Sequence, residues 1–313
     1  MVAQIPPPLV SVLCLAYNHE KYIRYALSGF VMQETNFPFE VIVHDDASTD
    51  GTVDIIREFE AKFPHIIKPI YQTENQYSKK VRITKEILYP KAQGKYLAIC
   101  EGDDFWIDKH KLQKQADYME SHPDASAVFH PVNILFNEKV IKNDRRWDKE
   151  MDFSAYDVIV GSGSFIITPS LFCRKDIALK FPKFRQMANV GDYPLQILLS
   201  LNGKVHYLPD IMACYRSMTE GSWSSKFAND NEFYINHWLS EIKWLVQLNK
   251  DTHNKHQLAV SSRIYMNMQM VNSRNALQRE PSMYKLYSEM ENKMRTAQLR
   301  IVENLASKLS KVI

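Results

Sequence analysis

The sequence predicts an α/β protein: a mainly parallel sheet flanked by helices, with a helical appendage at its carboxyl end. Three observations lead to this prediction. Short apolar runs alternate with helix-periodic segments over the first two thirds of the chain, which is typical of βαβ units. Polar clusters follow several of these runs, at the strand ends where open α/β sheets bind ligands. The last third is helix-periodic throughout.

The first half of the chain supplies most of the predicted sheet. Apolar runs predict strands at 9–16, 39–44, 66–72, 96–100 and 127–131. Helical spacing of apolar residues predicts helices at 20–33, 52–63, 82–91 and 109–121. Right-handed crossovers would bring the carboxyl ends of these strands to one edge of the sheet.

The second half is less regular. Residues 132–151 predict a hairpin and a surface loop, and Pro169 interrupts a strand at 165–170, which favours an edge strand or a bend. Gly191 to Pro194 opens a helix that continues over 195–201. Short strands at 205–208 and 212–215 then lead to a polar loop, 216–225.

A change of character near residue 226 predicts two regions, 1–226 and a helical region 227–313. Helices are expected at 232–248, 256–277 and 282–312. The last has apolar residues near one face and basic residues elsewhere, which leaves three roles open: packing on the first region, dimerisation, or contact with an acidic membrane. Packing is the default, since Glu289, Glu291 and Glu303 weaken the membrane reading.

Composition excludes several classes of function. The chain has 313 residues and a formal charge of only +3, so nucleic-acid binding has no whole-molecule support. The four cysteines are widely spaced in apolar surroundings and predict reduced core thiols of a cytoplasmic protein. Residues 1–8 are short and rich in proline, so we do not expect them to be a signal peptide. No apolar run approaches the roughly 20 residues of a membrane span.

The stretch from Tyr96 to Trp106 carries the strongest chemical signal. It begins as a buried strand and then places Glu101, Asp103 and Asp104 within four residues. Carboxylates this close repel one another unless a cation lies between them, and a hard divalent cation prefers oxygen ligands. We expect Asp103 and Asp104 to hold Mg²⁺ or Mn²⁺, and the metal to hold a diphosphate. The alternative is a set of solvated loop acids.

Two common phosphate-binding loops are absent from the sequence. The turn after the first strand, 15–20, contains no glycine, so the GxGxxG cradle is missing. No GxxxxGK[ST] segment occurs either. A bound phosphate would therefore depend on a metal and on side chains.

These motifs resemble the family 2 glycosyltransferases of bacterial surface glycans, which have the GT-A fold. The resemblance covers residues 9–225. Val10 to Asn18 is similar to the opening strand of the family, and Asp45 to Thr52 (DDASTDGT) to its uracil-binding segment. Glu101 to Asp104 stands at the metal site and Gly191-Asp192 at the catalytic base. Tyr215 to Ser224 resembles the later YRxHxxGxWS loop.

The resemblance implies a role for each matching residue. Asp192 would be the catalytic base, and Asp104 with Asp103 would bind the metal. The implied nucleotide contacts are Ala16, Tyr17, Asn18, Asp45, Asp46, Lys85, Asp103 and Arg216. An acceptor or sugar pocket would involve Glu101, Trp106 and Trp223. Two residues depart from the family pattern: Met218 replaces a histidine, and Lys85 stands where many relatives carry arginine.

Each role has a structural alternative. Asp46 could accept the N–H of a uracil ring or form an Asx turn, and Tyr17 could stack on the base or belong to the core. Asp192 could take the proton of an acceptor hydroxyl or cap the helix that begins there. Arg216 could bind phosphate or form a surface salt bridge. Glu101 could face solvent, and Trp106 could be buried.

Together, these residues and the resemblance imply an inverting, metal-dependent transferase that moves a sugar from a nucleoside-diphosphate donor to a glycan or lipid-linked acceptor. The donor is expected to be UDP-linked. Peripheral contact with the inner face of the membrane and homo-oligomer formation stay open. Two rivals remain. A sugar-1-phosphate nucleotidyltransferase would need a glycine-rich and basic first loop, which is absent. A non-catalytic nucleotide-sugar or glycan-binding module would not need Asp104 or Asp192.

Overall fold

The computed structural model describes residues 6–273 together with residues 285, 288, 289 and 292. The predicted helix at 282–312 therefore lies outside the described residues, apart from those four positions. None of the helices in the described part is both long and apolar enough to cross a membrane.

The strands follow one another along the chain with these bounds: β1 (Val10–Ala16), β2 (Phe39–Asp45), β3 (Ile67–Tyr71), β4 (Tyr96–Ile99), β5 (Phe105–Trp106), β6 (Ala125–Phe129), β7 (Val132–Phe136), β8 (Lys139–Asn143), β9 (Met151–Phe153), β10 (Phe172–Arg174), β11 (Lys204–Tyr207) and β12 (Ala213–Arg216). The helices are α1 (Ile23–Val31), α2 (Thr52–Lys62), α3 (Tyr89–Lys91), α4 (Lys111–Ser121), α5 (Ala155–Gly161), α6 (Lys175–Ala178), α7 (Lys183–Met187), α8 (Asp192–Asn202), α9 (Trp223–Asn229), α10 (Asn231–Asp251) and α11 (Gln257–Asn272).

A large sheet of order β3-β2-β1-β4-β10-β6-β11-β9 forms the centre of the molecule. Strands β1, β2, β3 and β4 are mutually parallel, and β6 is parallel to β11. Strand β10 is antiparallel to both of its neighbours, and β9 is antiparallel to β11. The predicted α/β class with a mainly parallel sheet is confirmed.

The first βαβ unit shows why this sequence folds in this way. Strand β1 is buried along almost its whole length, as expected for a parallel strand covered on both faces. Helix α1 buries Ile23, Ala26, Leu27 and Phe30, which have the i, i+3, i+4, i+7 spacing of one helix face. Phe30 packs edge-on against Trp106 with ring centroids 4.8 Å apart.

The structure corrects two predicted elements. The helix expected at 82–91 is a π-helical turn, Thr84–Leu88, followed by the short α3. The strand expected at 165–170 is wrong: Pro169 lies in a 3₁₀ turn, Thr168–Ser170, and the strand is β10. Proline has no N–H to donate to a neighbouring strand, and Pro169 lies before β10 rather than within it. Strand β10 can therefore pair on both sides, with β4 and with β6.

A second, four-stranded sheet was not predicted. Its order is β5-β12-β7-β8, and the β7–β8 pair is the hairpin expected within 132–151. The sheet pairs β5, which directly follows the acidic stretch, with β12, more than a hundred residues later. This pairing brings the 216–225 loop beside the acids.

The predicted boundary at residue 226 falls inside α9. Beyond it, α10 contributes Ile242, Trp244, Leu245 and Leu248 to a hydrophobic core that also contains Leu13 of β1 and Leu97 of β4. Helix α11 adds Val260 and Met268 to the same core. In the described chain the two helices therefore pack directly on the α/β region.

Candidate active site

The acidic stretch follows β4 as a tight loop against the end of β1. The N–H of Cys100 donates to the Leu13 carbonyl at 3.1 Å, and the N–H of Gly102 donates to the Leu15 carbonyl at 2.8 Å. A Cβ atom at Gly102 would lie 2.8 Å from His19 Nδ1 and 2.9 Å from Ile23 Cδ1. Any larger residue at this position would displace the side chains of His19 and Ile23, so glycine suits the close approach of the loop to α1.

Glu101, Asp103 and Asp104 meet at the end of this loop. One carboxylate oxygen from each lies within 4.8 Å of the others, and the structure contains no other such group among its described residues. Asp104 is buried, and its Oδ1 accepts a hydrogen bond from the Arg216 backbone N–H at 2.7 Å. Its Oδ2 is buried without a hydrogen-bond partner in the described structure.

This arrangement suits a divalent cation. Burial of the carboxyl, together with the charge of Asp103, raises the pKa of Asp104 well above its ordinary value. A buried carboxylate oxygen without a donor is costly, and a cation ligated by oxygen would relieve that cost. The three carboxylates therefore fit Mg²⁺ or Mn²⁺ by ligand type.

Asp192 lies in the first turn of α8, and Gly191 is the N-cap residue. No side chain makes a capping hydrogen bond at the start of α8. The geometry therefore does not support the alternative in which Asp192 caps this helix. The Asp192 side chain is exposed, yet desolvation by surrounding protein raises its pKa. Desolvation, then the charges of Asp103 and Asp192, raise the pKa of Glu101 to about 8. Asp192 and the acidic loop are therefore electrostatic neighbours.

The predicted nucleotide residues of β1 and β2 lie side by side. Ala16 is the register partner of Asp45, and the Ala16 carbonyl accepts the Asp46 N–H at 2.9 Å. Tyr17 is 46% exposed, so it is not a core residue. Asn18 adopts a left-handed conformation, and its Oδ1 accepts the Thr49 N–H at 2.8 Å.

Asp46 has a structural task that the sequence did not indicate. Its Oδ1 accepts the Gln76 N–H at 2.7 Å, and its Oδ2 accepts the Tyr77 N–H at 3.0 Å. The side chain is only 4% exposed. Asp46 therefore anchors the loop that follows β3, and a base contact would use its remaining lone pairs. Asp45 keeps one buried oxygen without a partner in the described chain.

The two predicted basic contacts are in different surroundings. Lys85 is exposed and lies over the Phe181 ring, 4.8 Å from its centroid. Arg216 is 2% exposed, and its Nε and Nη2 donate to the Glu138 carboxylate at 2.8 and 3.0 Å. The Arg216 pair is thus buried on the arginine side rather than a surface salt bridge.

The two tryptophans also differ. Trp106 is 1% exposed, and its Nε1 donates to the Pro169 carbonyl at 3.0 Å. Trp106 is therefore a core residue, and the prediction that it lines a sugar pocket is wrong, because a fully covered ring cannot contact a ligand. Trp223 is 44% exposed and stacks on Phe227 with ring centroids 4.6 Å apart. An exposed ring held in this way remains available to a sugar face.

Three residues at this site were not predicted. His19 follows the predicted nucleotide residues directly, and its Nδ1 is buried without a partner in the described structure. Desolvation lowers the pKa of His19, although Asp103 opposes that shift. Thr219 Oγ1 donates to Asp103 Oδ2 at 3.2 Å, and Glu138 binds Arg216. Position after the first strand could have indicated His19; the other two depend on tertiary contacts.

A pocket of about 400 Å³ opens beside these residues. The pocket lies between the start of α1, the β7–β8 turn and the loop after β12. Its lining residues include Tyr22, Glu138, Arg216, Met218 and Thr219. Met218 has a left-handed backbone, and its N–H donates to Ser224 Oγ at 2.9 Å. The loop that carries Met218 is therefore fixed at both the acids and α9.

Comparison with known proteins gives consistent matches. The sequence profile described as glycosyl transferase family 2 matches residues 11–180. An uncharacterised protein of Mycobacterium tuberculosis is 35% identical over 231 residues, covering 72% of this chain and 63% of that protein. The chain thus spans less than two thirds of the length of this relative.

Solved structures share the fold. Staphylococcus aureus TarS 1–349 in complex with UDP-GlcNAc aligns with a TM-score of 0.55 at 18% identity, over 84% of this chain and 81% of that one. A mannosyltransferase of Pyrobaculum calidifontis in complex with GDP-Man and Mn²⁺ aligns with a TM-score of 0.58 at 15% identity, over 91% and 81%. At these identities the likeness concerns the fold alone.

Proposed function

The chain belongs to glycosyl transferase family 2, and we propose that it transfers a sugar from a UDP-linked donor to a hydroxyl group of a glycan or lipid-linked acceptor. The proposal includes inversion at the anomeric carbon and dependence on Mn²⁺ or Mg²⁺. Family membership supports a glycosyltransferase that uses a nucleotide sugar. The donor, the metal and the stereochemistry are inferred from the residues of the site.

The observation that carries the proposal is the buried, unpartnered Oδ2 of Asp104 within the three-carboxylate group. Asp104 and Asp103 would hold the cation, with Glu101 beside them. When bound, the cation would stabilise negative charge on the departing nucleoside diphosphate. The protein's own contribution is to fix the loop: Gly102 hydrogen-bonds to the end of β1, and Arg216 holds Asp104 from the other side.

Asp192 is proposed as the general base. Its raised pKa makes it a better proton acceptor than an ordinary aspartate, and its exposure leaves it accessible to an acceptor hydroxyl. As the acceptor oxygen bonds to the anomeric carbon, its proton would pass to the Asp192 carboxylate. The bond from that carbon to the diphosphate oxygen would break, and its electron pair would leave with the nucleotide. A single displacement of this kind inverts the carbon.

The donor proposal is supported by Asp46 and Tyr17, which directly follow the neighbouring parallel strands β2 and β1. Asp46 retains lone pairs that could accept an imide N–H, and exposed Tyr17 could stack on a base. TarS was solved with UDP-GlcNAc, whereas the archaeal mannosyltransferase was solved with GDP-Man. Because the fold accommodates both, UDP and GDP sugars must be compared directly. TarS acts on poly(ribitol-phosphate), as its name states, which supports a surface-glycan acceptor as a proposal.

The direct test is a screen of nucleotide sugars for slow hydrolysis with Mn²⁺, with Mg²⁺ and with EDTA. We expect release of UDP from one or more UDP sugars, and loss of that release in EDTA. Preferential hydrolysis of GDP sugars would overturn the donor assignment. Equal rates in EDTA would overturn the metal assignment.

Substitution of the base tests the catalytic step. With an acceptor identified, Asp192→Asn should leave the donor dissociation constant nearly unchanged and lower transfer by about 10²- to 10⁴-fold. Asp54→Asn is the matched control, because Asp54 is also an exposed aspartate in the first turn of an 11-residue helix. Full transfer by Asp192→Asn would assign this residue a structural role only, and would direct the search for the base to Glu101.

A further inference from the structure

The β7–β8 hairpin turn places a glutamate where its backbone conformation favours glycine. Strand residues Phe136 and Lys139 are register partners, so Asn137 and Glu138 form a two-residue turn. Both have positive φ, at 49° and 59°. Turns of this kind favour Asn-Gly, because glycine adopts positive φ without a steric penalty. A glutamate at the second position is therefore strained unless its side chain gains something in return.

The compensating contact is with a buried arginine. The Glu138 carboxylate accepts from Arg216 Nε at 2.8 Å and from Arg216 Nη2 at 3.0 Å, in a bidentate pair. The guanidinium carbon also lies 4.6 Å from the Phe105 ring centroid and 5.0 Å from those of Tyr22 and Tyr25. Glu138 is thus the acid that pairs with a cation otherwise surrounded by aromatic faces and a carbonyl.

Arg216 connects this turn to the acidic loop. Its Nη1 donates to the Asp103 carbonyl at 2.5 Å, and its backbone N–H donates to Asp104 Oδ1 at 2.7 Å. The other two guanidinium nitrogens, Nε and Nη2, donate to the Glu138 carboxylate. One residue therefore contacts both the hairpin turn and the two proposed metal ligands.

We propose that Glu138 is a positioning residue for the acidic loop, acting through Arg216; the metal in this statement rests on the proposed function. Glu138 orients the guanidinium away from the carboxylates and towards the loop backbone. Without it, the cationic group would turn to the nearby carboxylates of Asp103 and Asp104 and compete there with a bound cation. Glu138 is not one of the three carboxylates that could hold the cation, so its proposed effect passes through Arg216.

Two glycine substitutions separate this role from turn geometry. Glu138→Gly creates the favoured Asn-Gly turn and removes the carboxylate. Asn137→Gly removes the side chain at the other positive-φ position and keeps the Glu138 carboxylate. Since both remove a side chain at positive φ, neither should lower the melting temperature through the turn itself. Glu138→Gln supplies a third variant, which retains the side-chain size and loses the charge.

The first readout is hydrogen–deuterium exchange of residues 100–106 in the metal-free protein. Faster exchange is expected in Glu138→Gly and Glu138→Gln, with wild-type exchange in Asn137→Gly. The second readout is the Mn²⁺ dissociation constant by calorimetry, with and without UDP. Partners that orient metal ligands typically contribute about 10- to 100-fold in affinity, so we expect weakening of that order in the two Glu138 variants only.

Wild-type exchange and Mn²⁺ affinity in both Glu138 variants would overturn the proposal and leave Glu138 as a hairpin residue. Equal effects in Asn137→Gly would also overturn it, by assigning the effect to the turn backbone. If the wild-type protein binds no Mn²⁺, the metal part of the proposed function fails, and the exchange measurement still decides whether Glu138 positions the loop.

Discussion

At the scale of single residues, Asp104 combines burial with an unsatisfied carboxylate oxygen. Because desolvation and Asp103 raise its pKa in the folded state, ionisation of Asp104 opposes folding. The stability associated with the protonated form is present at low pH. It is lost as the pH rises from the ordinary aspartate value of about 3.9 through the raised folded-state pKa. Ionisation of Asp104 in the metal-free protein would therefore cost stability, and the cation proposed above would offset that cost.

Asp104→Asn should consequently raise the melting temperature of the metal-free protein at pH 7, because the ionisable group is removed while Oδ1 can still accept the Arg216 N–H. The difference from wild type should shrink on acidification, as wild-type Asp104 takes up its proton. Added Mn²⁺ should stabilise the wild-type protein and not the variant. Thermal melts between pH 5 and pH 8, with and without Mn²⁺, measure all three effects. A variant less stable than wild type at pH 7 would contradict the sign of the pKa shift.

At the scale of elements, the loop after β3 is tied to the end of β2 by Asp46. Two backbone N–H groups, from Gln76 and Tyr77, share its carboxylate. Asn75 adds a side-chain hydrogen bond from Nδ2 to the Asp46 carbonyl at 3.1 Å. Since Tyr77 is 76% exposed, this loop is held mainly by polar contacts rather than by a buried side chain at that position. Asp46 therefore connects the proposed nucleotide site to the loop that follows β3.

Asp46→Asn should loosen this loop, because an amide offers one acceptor oxygen where the carboxylate offers two. We expect faster hydrogen–deuterium exchange at residues 74–80 and weaker UDP binding. Glu74→Gln is the control, since Glu74 lies in the same loop and pairs with Lys79 without touching Asp46. Weaker UDP binding with unchanged exchange would assign Asp46 to base contact alone. Unchanged exchange and unchanged affinity would remove both roles.

At the scale of the whole molecule, the helices after residue 227 share the core of the α/β region. Trp244 is 1% exposed and packs edge-on against Tyr193, with ring centroids 5.3 Å apart. Tyr193 is the neighbour of Asp192 in α8, and its hydroxyl donates to the Ile159 carbonyl. Helix α10 also accepts the Phe184 N–H through Asp251 Oδ2 at 2.9 Å. These helices thus support the segment that carries the proposed base.

Trp244→Ala should lower the free energy of unfolding by about 3–5 kcal/mol, as expected for truncation of a buried tryptophan. Val246→Ala is the control on the same helix: Val246 is 43% exposed, and alanine has the higher helix propensity, so little change is expected. Urea unfolding of both variants measures the difference. A loss below about 1 kcal/mol for Trp244→Ala would mean that α10 is only weakly coupled to the rest of the core.

The sequence by itself determined the α/β class, the positions of the first strands along the chain and the acidic stretch after β4. These features are local, because the apolar pattern of a strand or a helix lies within a run of neighbouring residues. The edge of the sheet at which polar residues lie follows from the direction of parallel strands. The same reasoning placed Ala16 and Asp45 at one sheet edge, where they are register partners. It also identified Glu101, Asp103 and Asp104 as a group.

The tertiary structure decided what depends on distant partners. The antiparallel insertion of β10 and the pairing of β5 with β12 join segments that no local pattern relates. The same is true of Glu138, which meets Arg216 across 78 residues, and of Asp46, whose carboxylate binds backbone groups 30 and 31 residues away. Burial likewise assigned Trp106 to the core. Hydrogen bonds and burial are properties of the folded chain, because they depend on which surfaces meet in space.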